Sequence, residues 1–225
     1  MNSLEHIQEQ VRTCERCTRL REYCQGIGET KVRRYRDQDY WARPVPGFGD
    51  PGARLLILGL APGAHGANRT GRMFTGDDSG VWLYRALYEA GFANQPKSTS
   101  RGDGLVLTGA YIANAVRCAP PDNKPLPVEV EACRPYLEEE LRLLSSVKVV
   151  LLLGRIAFDA YVKLRRSQGF DLGRPTFSHG AEYQFQGLPA LLCSYHPSRQ
   201  NTNTGVLTPE MWSAVFARAR QLAGE

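Results

Sequence analysis

The sequence is poor in lysine and has no long apolar segment. Arginine supplies 23 of its 28 basic residues. No apolar run reaches the roughly 20 residues that a membrane-spanning helix needs, and the first residues, MNSLEHIQEQ, lack the hydrophobic stretch of a secretion signal. Hydrophobic residues make up 42% of the chain and charged residues 23%, as in folded globular proteins and unlike disordered chains. We therefore expect a cytoplasmic globular protein.

Length and net charge set looser limits. A chain of 225 residues can bury a substantial core, and we expect a single domain over 1–225, with 1–53 packed on it as an N-terminal arm and connection. The net charge of +5 permits a nucleic-acid partner without requiring one, although the arginine fork suits phosphate better than lysine does. The basic run KVRRYR at 31–36 fits either a charged surface loop or a phosphate contact.

Apolar runs alternate with amphipathic segments along the rest of the chain. Runs bounded by Gly or Pro predict four buried strands, at 54–60, 111–116, 147–154 and 189–195. Helical patterns occupy the N-terminal arm over 1–25 and then 81–91, 128–145, 155–165 and 209–223. This alternation predicts an α/β fold of three layers, α/β/α, around a mainly parallel four-stranded sheet.

Three loops stand where such folds place their chemistry. In parallel sheets, function collects beyond the carboxyl ends of the strands. The loops 61–80, 117–127 and 196–205 occupy that position and are rich in Gly, Pro and polar residues. Glycines in the first loop allow its N–H groups to approach a ligand closely. Phe74 in this loop fits either ordinary packing or a stacking platform for a flat ring.

Two acids and one histidine in these loops are candidates for catalysis. Asp77 and Asp78 are adjacent, and we expect Asp78 or Ser79 to cap the helix that follows, which leaves Asp77 free to face the cleft. A lone histidine is often structural. His196, however, begins the loop after the last predicted strand, opposite the Gly-rich loop, which favours a functional role.

The cysteines suggest a metal site. Cys14 and Cys17 form a CxxC pair, and Cys118 and Cys133 form a second pair separated by 14 residues. The N-terminal arm would have to fold back for the pairs to meet, and four thiolates suit either zinc or a [4Fe–4S] cluster. The spacing does not distinguish zinc from a cluster, and it does not exclude cysteines that bind no metal. Cys24 has no evident partner, and Cys193 is expected to be a small buried hydrophobe.

Three motifs and the cysteine pattern together carry a family resemblance. The segments GLAPGAHGANRTGRMFTGDDSG, RCAPPDNKPLP and HPSRQNTNTG resemble the motifs of the type-5 uracil-DNA glycosylases, and the resemblance runs from about Cys14 to the last helix. It implies a monomeric bacterial or archaeal DNA repair enzyme of the nucleoid, which releases uracil and other deaminated bases from DNA. It also implies that a structural [4Fe–4S] cluster is bound by Cys14, Cys17, Cys118 and Cys133.

The resemblance implies a base pocket as well. The enzyme would flip the damaged nucleotide out of the duplex, and His196 would donate a hydrogen bond to O2 of the departing uracil. The implied base-binding residues are Gly63, Ala64, His65, Phe74 and Asn114. Among them Phe74 would stack on the base and Asn114 would recognise its edge.

Water activation is where this chain departs from related classes. Those classes carry an acid or amide in the first loop, whereas Leu60 and Ala61 stand here and neither can accept a proton. The resemblance implies that Asp77 substitutes, helped by Asn123, and that the pocket accepts a wider range of bases. The remaining implied residues contact DNA from the insertion loop: Arg199, Gln200 and Asn201.

Two other classes remain open on the sequence. A non-enzymatic, zinc-containing nucleic-acid-binding module would explain the arginines and cysteines without catalysis. A redox protein would use a cluster to carry electrons, but the chain shows no motif for a second cofactor.

Overall fold

The fold is built around one six-stranded sheet. The computed structural model describes residues 3–224. The strands run in the order β1-β3-β2-β4-β6-β5 across the sheet. They are β1 (Phe48–Gly49), β2 (Leu55–Gly59), β3 (Ala110–Asn114), β4 (Val149–Leu153), β5 (Glu182–Tyr183) and β6 (Ala190–Ser194).

The four central strands are the ones that the apolar runs predict. β2, β3, β4 and β6 are parallel to one another, and all their residues are buried. The prediction of four strands was incomplete, because the antiparallel pairs β1–β3 and β5–β6 close the two edges. Each edge strand has only two residues, too few for an alternating pattern to be visible in the sequence.

Helices cover both faces of the sheet. They are α1 (Leu4–Arg12), α2 (Thr18–Thr30), α3 (Ala67–Thr70), α4 (Asp78–Glu89), α5 (Pro127–Leu143), α6 (Arg155–Ser167), α7 (Arg199–Asn203) and α8 (Pro209–Ala223). The strand side chains alternate between two cores. Leu55 and Ile57 of β2 face the core that includes α4 and α8, whereas Leu56 and Leu58 face the core that includes α5 and α6. This arrangement confirms the predicted three layers.

The N-terminal arm consists of two helices. Apolar residues of α1, Ile7 and Val11, pack against Tyr136 of α5. α2 places Leu20 and Cys24 in a separate apolar cluster with Val116 and neighbouring residues. The arm therefore folds back over the segment that follows β3, as the cysteine pairing requires. None of the helices in the described range is long and apolar enough to cross a membrane.

Candidate active site

A cavity of about 500 Å³ opens beyond the carboxyl ends of the central strands. The loops after β2, β3 and β6 all contribute to its wall, as their position predicts. Its volume lies within the usual range of about 300–1,000 Å³ for small-molecule sites. The predicted site residues that line it are Gly63, Phe74, Asp77, Asn123, His196, Arg199 and Gln200.

Phe74 and Asn114 sit against the end of β2. A Cβ on Gly59, the last residue of that strand, would lie 2.5 Å from Asn114 Oδ1 and 2.8 Å from Phe74 Cζ, so this position must be glycine. Phe74 has a left-handed φ of 51°, an uncommon conformation for an aromatic residue and one that is often found at functional sites. Its ring is buried in the core and also lines the cavity. The ring can therefore pack against the core and still contact a ligand.

Asn114 carries an unsatisfied buried oxygen. The side chain is 1% exposed, its Nδ2 donates to Met73 Sδ at 2.8 Å, and its Oδ1 has no hydrogen-bond partner among the described residues. Buried polar atoms are nearly always paired in folded proteins. A buried amide oxygen beside Phe74 is therefore suited to a ligand that brings its own donor.

His196 lies directly after β6 and stacks on Phe74. The two ring centroids are 5.9 Å apart, with 29° between the ring planes. Burial lowers the pKa of His196 to about 4, so the imidazole is neutral near pH 7 and offers one N–H donor. Its backbone carbonyl accepts hydrogen bonds from the Ser198 N–H at 2.8 Å and from Asn201 Nδ2 at 2.9 Å, which fix the loop.

Asp77 is held by a hydrogen bond at one carboxylate oxygen, and the other lies against the Gly-rich loop. Oδ1 accepts a hydrogen bond of 2.9 Å from the Gly80 N–H, and Asp77 is thereby the N-cap of α4. The expectation that Asp78 or Ser79 would cap this helix was wrong, because the helix begins at Asp78, three residues before the predicted start at 81. Oδ2 lies over the Gly-rich loop, where a Cβ on Gly66 would come within 1.9 Å of it. The carboxylate still lines the cavity.

The environment of Asp77 makes it a stronger base than a free aspartate. Burial raises the pKa of the Asp77 carboxyl, and the nearby charge of Asp78 raises it further. The Gly80 N–H and the charge of Arg69 act in the opposite direction. A base is more effective when its pKa lies closer to the working pH.

Asn123 forms part of the opposite wall. Asp122 and Asn123 both have positive φ, 52° and 56°, within a short 3₁₀ turn after β3. Asn is one of the few residues that tolerate this conformation readily. Asn123 is exposed and faces the cavity together with His196.

The predicted DNA-contact residues divide into two groups. They begin α7, for which Ser198 is the N-cap. Arg199 and Gln200 are exposed at the cavity rim, and Arg199 forms a 2.6 Å ion pair with Asp78. Asn201 instead donates to the His196 carbonyl, so its amide fixes the loop that carries His196.

The wall of this cavity lacks three of the predicted base-binding residues: Ala64, His65 and Asn114, which lies beside Phe74. His65 Nδ1 lies 3.1 Å from the Tyr40 hydroxyl, and the residue lines an adjoining cavity. Burial, and then the charge of Arg69, lower the pKa of His65. Ala64 packs toward the apolar cluster that contains Cys118. Of the predicted backbone contacts, only Gly63 lies in the cavity wall.

The four predicted metal-binding cysteines come from three separate segments and meet. Burial, and then the charge of Cys14, raise the pKa of Cys17. Burial raises the pKa of Cys133 to about 11, and the charges of Cys17 and Cys14 act in the same direction. The hydrogen bond with Cys24, and then burial, raise the pKa of Cys118, and the charge of Cys133 acts in the same direction. The N-terminal pair and the central pair are therefore neighbours, although they are a hundred residues apart in the chain.

Sequence reasoning missed a fifth thiol in this cluster. Cys24 forms a hydrogen bond with the Cys118 side chain and donates to the Ala119 carbonyl at 3.6 Å. Its position on α2, seven residues after Cys17, gave no recognisable spacing. Cys193, in contrast, is fully buried in the sheet, which confirms its predicted role as a buried hydrophobe.

Four cysteine thiols are a donor set that either zinc or a [4Fe–4S] cluster accepts. Within residues 3–224, no group of three or more His, Cys, Asp or Glu side chains is close enough to share a single metal ion. A [4Fe–4S] cluster binds each thiolate to a different iron, so its ligands need not converge on one point. Cys17, Cys118 and Cys133 share one apolar cluster with Cys24, and Cys14 packs against a second one that contains Tyr136.

Comparisons with known proteins agree with the geometry. The family model described as the Uracil DNA glycosylase superfamily matches residues 46–220. A type-5 uracil-DNA glycosylase of Thermus thermophilus is 53% identical over 211 residues, or 94% of each chain. A type-5 uracil-DNA glycosylase of Pyrobaculum aerophilum is 45% identical over 213 residues, 94% of this chain and 89% of that protein. A type-4 enzyme of the same organism is 31% identical over 199 residues, 87% and 83%.

The fold and the site define an α/β protein with a ligand-sized cavity at the carboxyl ends of a mainly parallel sheet. The chain belongs to the uracil-DNA glycosylase superfamily and, within it, to the type-5 group. The resemblance drawn from the three loop motifs is thereby confirmed.

Proposed function

We propose that this protein removes uracil from DNA by hydrolysing the N-glycosidic bond, acting as a monomer and leaving an abasic site. The observation that carries the proposal is the cavity that places Phe74, Asp77 and His196 together beside the buried amide of Asn114. A base can reach this cavity only after its nucleotide has left the duplex.

Base recognition follows from the two side chains next to Gly59. The Phe74 ring offers one face of the pocket as a stacking surface for the flipped base. Asn114 Oδ1, which has no partner among the described residues, accepts a hydrogen bond from the N3–H of uracil. Because an amide also donates, the same group pairs with the adjacent O4 of the base.

Bond cleavage places negative charge on the departing uracil. The neutral imidazole of His196 donates its N–H to O2, where that charge develops, and the stacked Phe74 ring and the fixed loop hold the imidazole in place. A neutral imidazole is suited to this role, because its N–H stabilises the anion by a hydrogen bond while the proton stays on the imidazole. The backbone around Gly63 contributes to the same wall.

Water attack on the sugar uses Asp77. Its raised pKa favours proton acceptance, and Gly80 and the Gly66 turn fix its orientation. Asn123, on the opposite wall, orients the water through its amide. Leu60 and Ala61 leave the first loop without a polar group against the base, which widens the range of deaminated bases that the pocket accepts.

DNA binding involves the rim of the cavity. Arg199 leaves its ion pair with Asp78 and contacts a DNA phosphate. The loss is small, because exposed ion pairs contribute little to stability. Gln200 occupies the space that the flipped base vacates. Asn201 holds the loop that carries both residues.

A [4Fe–4S] cluster bound by Cys14, Cys17, Cys118 and Cys133 would cross-link the N-terminal arm to the segment after β3. When bound, it supplies structural stability to this corner of the molecule. The protein purified without oxygen is expected to be brown and to contain about four irons per chain, measured by a colorimetric iron assay. Colourless protein with one tightly bound zinc ion would contradict the cluster.

The activity is tested with an oligonucleotide duplex that contains a single uracil. Strand scission after alkali, under enzyme excess, reports the abasic product. Asp77→Ala should lower the single-turnover rate by about 100-fold or more, as expected for the loss of a positioned base. Asp159→Ala, which removes an exposed carboxylate of α6 that does not line the cavity, is the matched control and should retain most of the rate. Equal rates for Asp77→Ala and the wild type would show that Asp77 is not the base.

A further inference from the structure

The base cavity continues into two further cavities. One, of about 670 Å³, shares Gly63, Asp77 and Arg199 with it. The next, of about 760 Å³, shares Gln38, Arg69 and Thr99 with the second. The three form one cleft that runs from the site of base excision along the segments 32–43 and 98–102. The proposed chemistry uses only the first cavity.

Unpaired arginines line the outer part of this cleft. Arg34, Arg43 and Arg101 are exposed on its walls, and none of them forms an ion pair with a carboxylate in the described part of the chain. Asp39 lies on the same walls, and Asp77 and Asp78 line the end of the second cavity that adjoins the base cavity. Cationic charge concentrated in a cleft attracts polyanions more strongly than the same charge spread over a surface.

A fourth arginine places a positive charge between the two outer cavities. Arg69 is 8% exposed and lines both of them. Its guanidinium donates only to neutral acceptors: the His65 carbonyl at 2.8 Å, Gln38 Oε1 at 2.6 Å and the Gly76 carbonyl at 2.8 Å. Arg69 forms no ion pair among the described residues, although its charge lowers the pKa of Asp77. A largely buried charge that is not paired is costly, and an anion bound in the cleft would offset that cost.

Aromatic rings stand among these charges. The guanidinium carbons of Arg101 and Arg43 lie 4.1 Å and 5.7 Å from the centroid of the Trp41 ring, and that of Arg69 lies 3.9 Å from the Tyr35 ring. Trp41 is fixed in place: its Nε1 donates to the Pro44 carbonyl at 3.1 Å, and its backbone N–H donates to the Arg69 carbonyl at 2.8 Å. Rigid aromatic platforms beside arginines are typical of single-stranded nucleic-acid sites.

We propose that this cleft, which we call the arginine groove (Arg34, Arg43, Arg69 and Arg101 with Tyr35 and Trp41), binds the DNA strand that adjoins the extruded nucleotide on one side. Phosphates of that strand contact the guanidinium groups, and an unstacked base lies on Trp41. The inference rests on the proposed function, because it needs a nucleotide extruded into the first cavity. It adds a binding site for the DNA on one side of the extruded nucleotide, which the excision reaction itself does not require.

The test measures how binding depends on salt. The probe is a duplex with a tetrahydrofuran abasic-site analogue, bound to the cluster-containing protein and followed by fluorescence anisotropy between 50 and 300 mM salt. Each lost phosphate contact should reduce the slope of log affinity against log salt by about 0.7 to 0.9. The double variant R43Q/R101Q should therefore reduce the slope by about 1.4 to 1.8. The control R166Q/R174Q removes the same charge near the end of α6 that lies away from the cleft and should leave the slope unchanged.

The position of the strand is tested by shortening the DNA. Trimming the duplex on one side of the analogue should abolish the difference between R43Q/R101Q and the wild type, and trimming on the other side should preserve it. A difference that survives trimming on both sides would indicate general electrostatic attraction and overturn the proposal.

Stacking is tested separately at Trp41. Trp41→Phe keeps a ring, and its affinity should stay close to that of the wild type. Trp41→Ala should weaken binding by about fivefold or more, the loss expected for one stacked base. Equal affinities for Trp41→Ala and Trp41→Phe, both folded by circular dichroism, would remove Trp41 from the site.

The two proposals fail in different ways. If the wild type excises uracil while R43Q/R101Q behaves like the control, only the arginine groove is overturned. If the wild type binds DNA but excises no uracil, the proposed function fails, and the groove proposal fails with it.

Discussion

The buried imidazole of His196 should make the protein sensitive to mild acid. The pKa of His196 is about 4 in the folded protein, lowered from 6.5 by burial. Between these values the unfolded chain binds a proton at this position and the folded protein does not. The free energy of unfolding therefore falls as the pH decreases from about 6.5 towards 4.

The size of the effect follows from the difference between the two pKa values. A difference of about 2.5 corresponds to about 3 kcal/mol in total, at 1.36 kcal/mol for each pKa unit. At pH 5 about 2 kcal/mol of it should already be lost. His65 and His179 also have lowered pKa values, so the whole protein loses more than His196 alone accounts for.

Comparison with His196→Gln isolates the contribution of this one group. Glutamine cannot titrate, whereas the other histidines are present in both proteins. Urea unfolding at pH 7.5, 6 and 5 should show the wild type losing about 2 kcal/mol more than the variant between pH 7.5 and 5. The variant should also lose about 100-fold in single-turnover rate near pH 7, because its donor is misplaced for O2. Parallel pH dependences of unfolding would show that His196 titrates normally and would refute the argument for a neutral donor.

Two further predictions concern glycine and charge. Gly66→Ala puts a Cβ where Asp77 Oδ2 lies, 1.9 Å away, so the single-turnover rate should fall by more than tenfold with little change in DNA affinity; an unchanged rate would mean that the orientation of Asp77 does not matter. Arg117→Met leaves the buried Glu140 without its ion-pair partner, since both side chains are 1% exposed, and should cost about 3–5 kcal/mol in urea unfolding. The double variant Arg117→Met/Glu140→Leu should recover most of this loss, and no recovery would argue against an uncompensated charge as the cause.

The sheet was predictable because its strands are buried on both faces. Runs such as VKVVLLLG, between Gly and polar residues, leave few alternatives to a central parallel strand. Thr208 and Pro209 likewise predict the start of α8, where the Thr208 side chain accepts a hydrogen bond from the Met211 N–H. The two-residue edge strands carry no comparable signal.

The loops that form the site could be predicted from the sequence, but the directions of their side chains were less predictable. Asp77 and Asp78 have the same local capping chemistry, and tertiary packing of the Phe74 turn against Gly80 decides between them. His65 turns away because Tyr40, 25 residues earlier, supplies its partner.

Residues brought in by the N-terminal arm were the least predictable. Cys24 joins the thiol cluster and Arg69 meets Tyr35 only through packing between distant segments. Such contacts leave no pattern within a single stretch of sequence.

The most direct test of the account is the release of free uracil. The protein should be incubated in excess with a duplex that contains one uracil, and the released base quantified by liquid chromatography and mass spectrometry. We expect one free uracil for each abasic site formed, and a strongly reduced yield with His196→Gln at the same time point. Folded, cluster-containing protein that binds this DNA but releases no base would contradict the central claim.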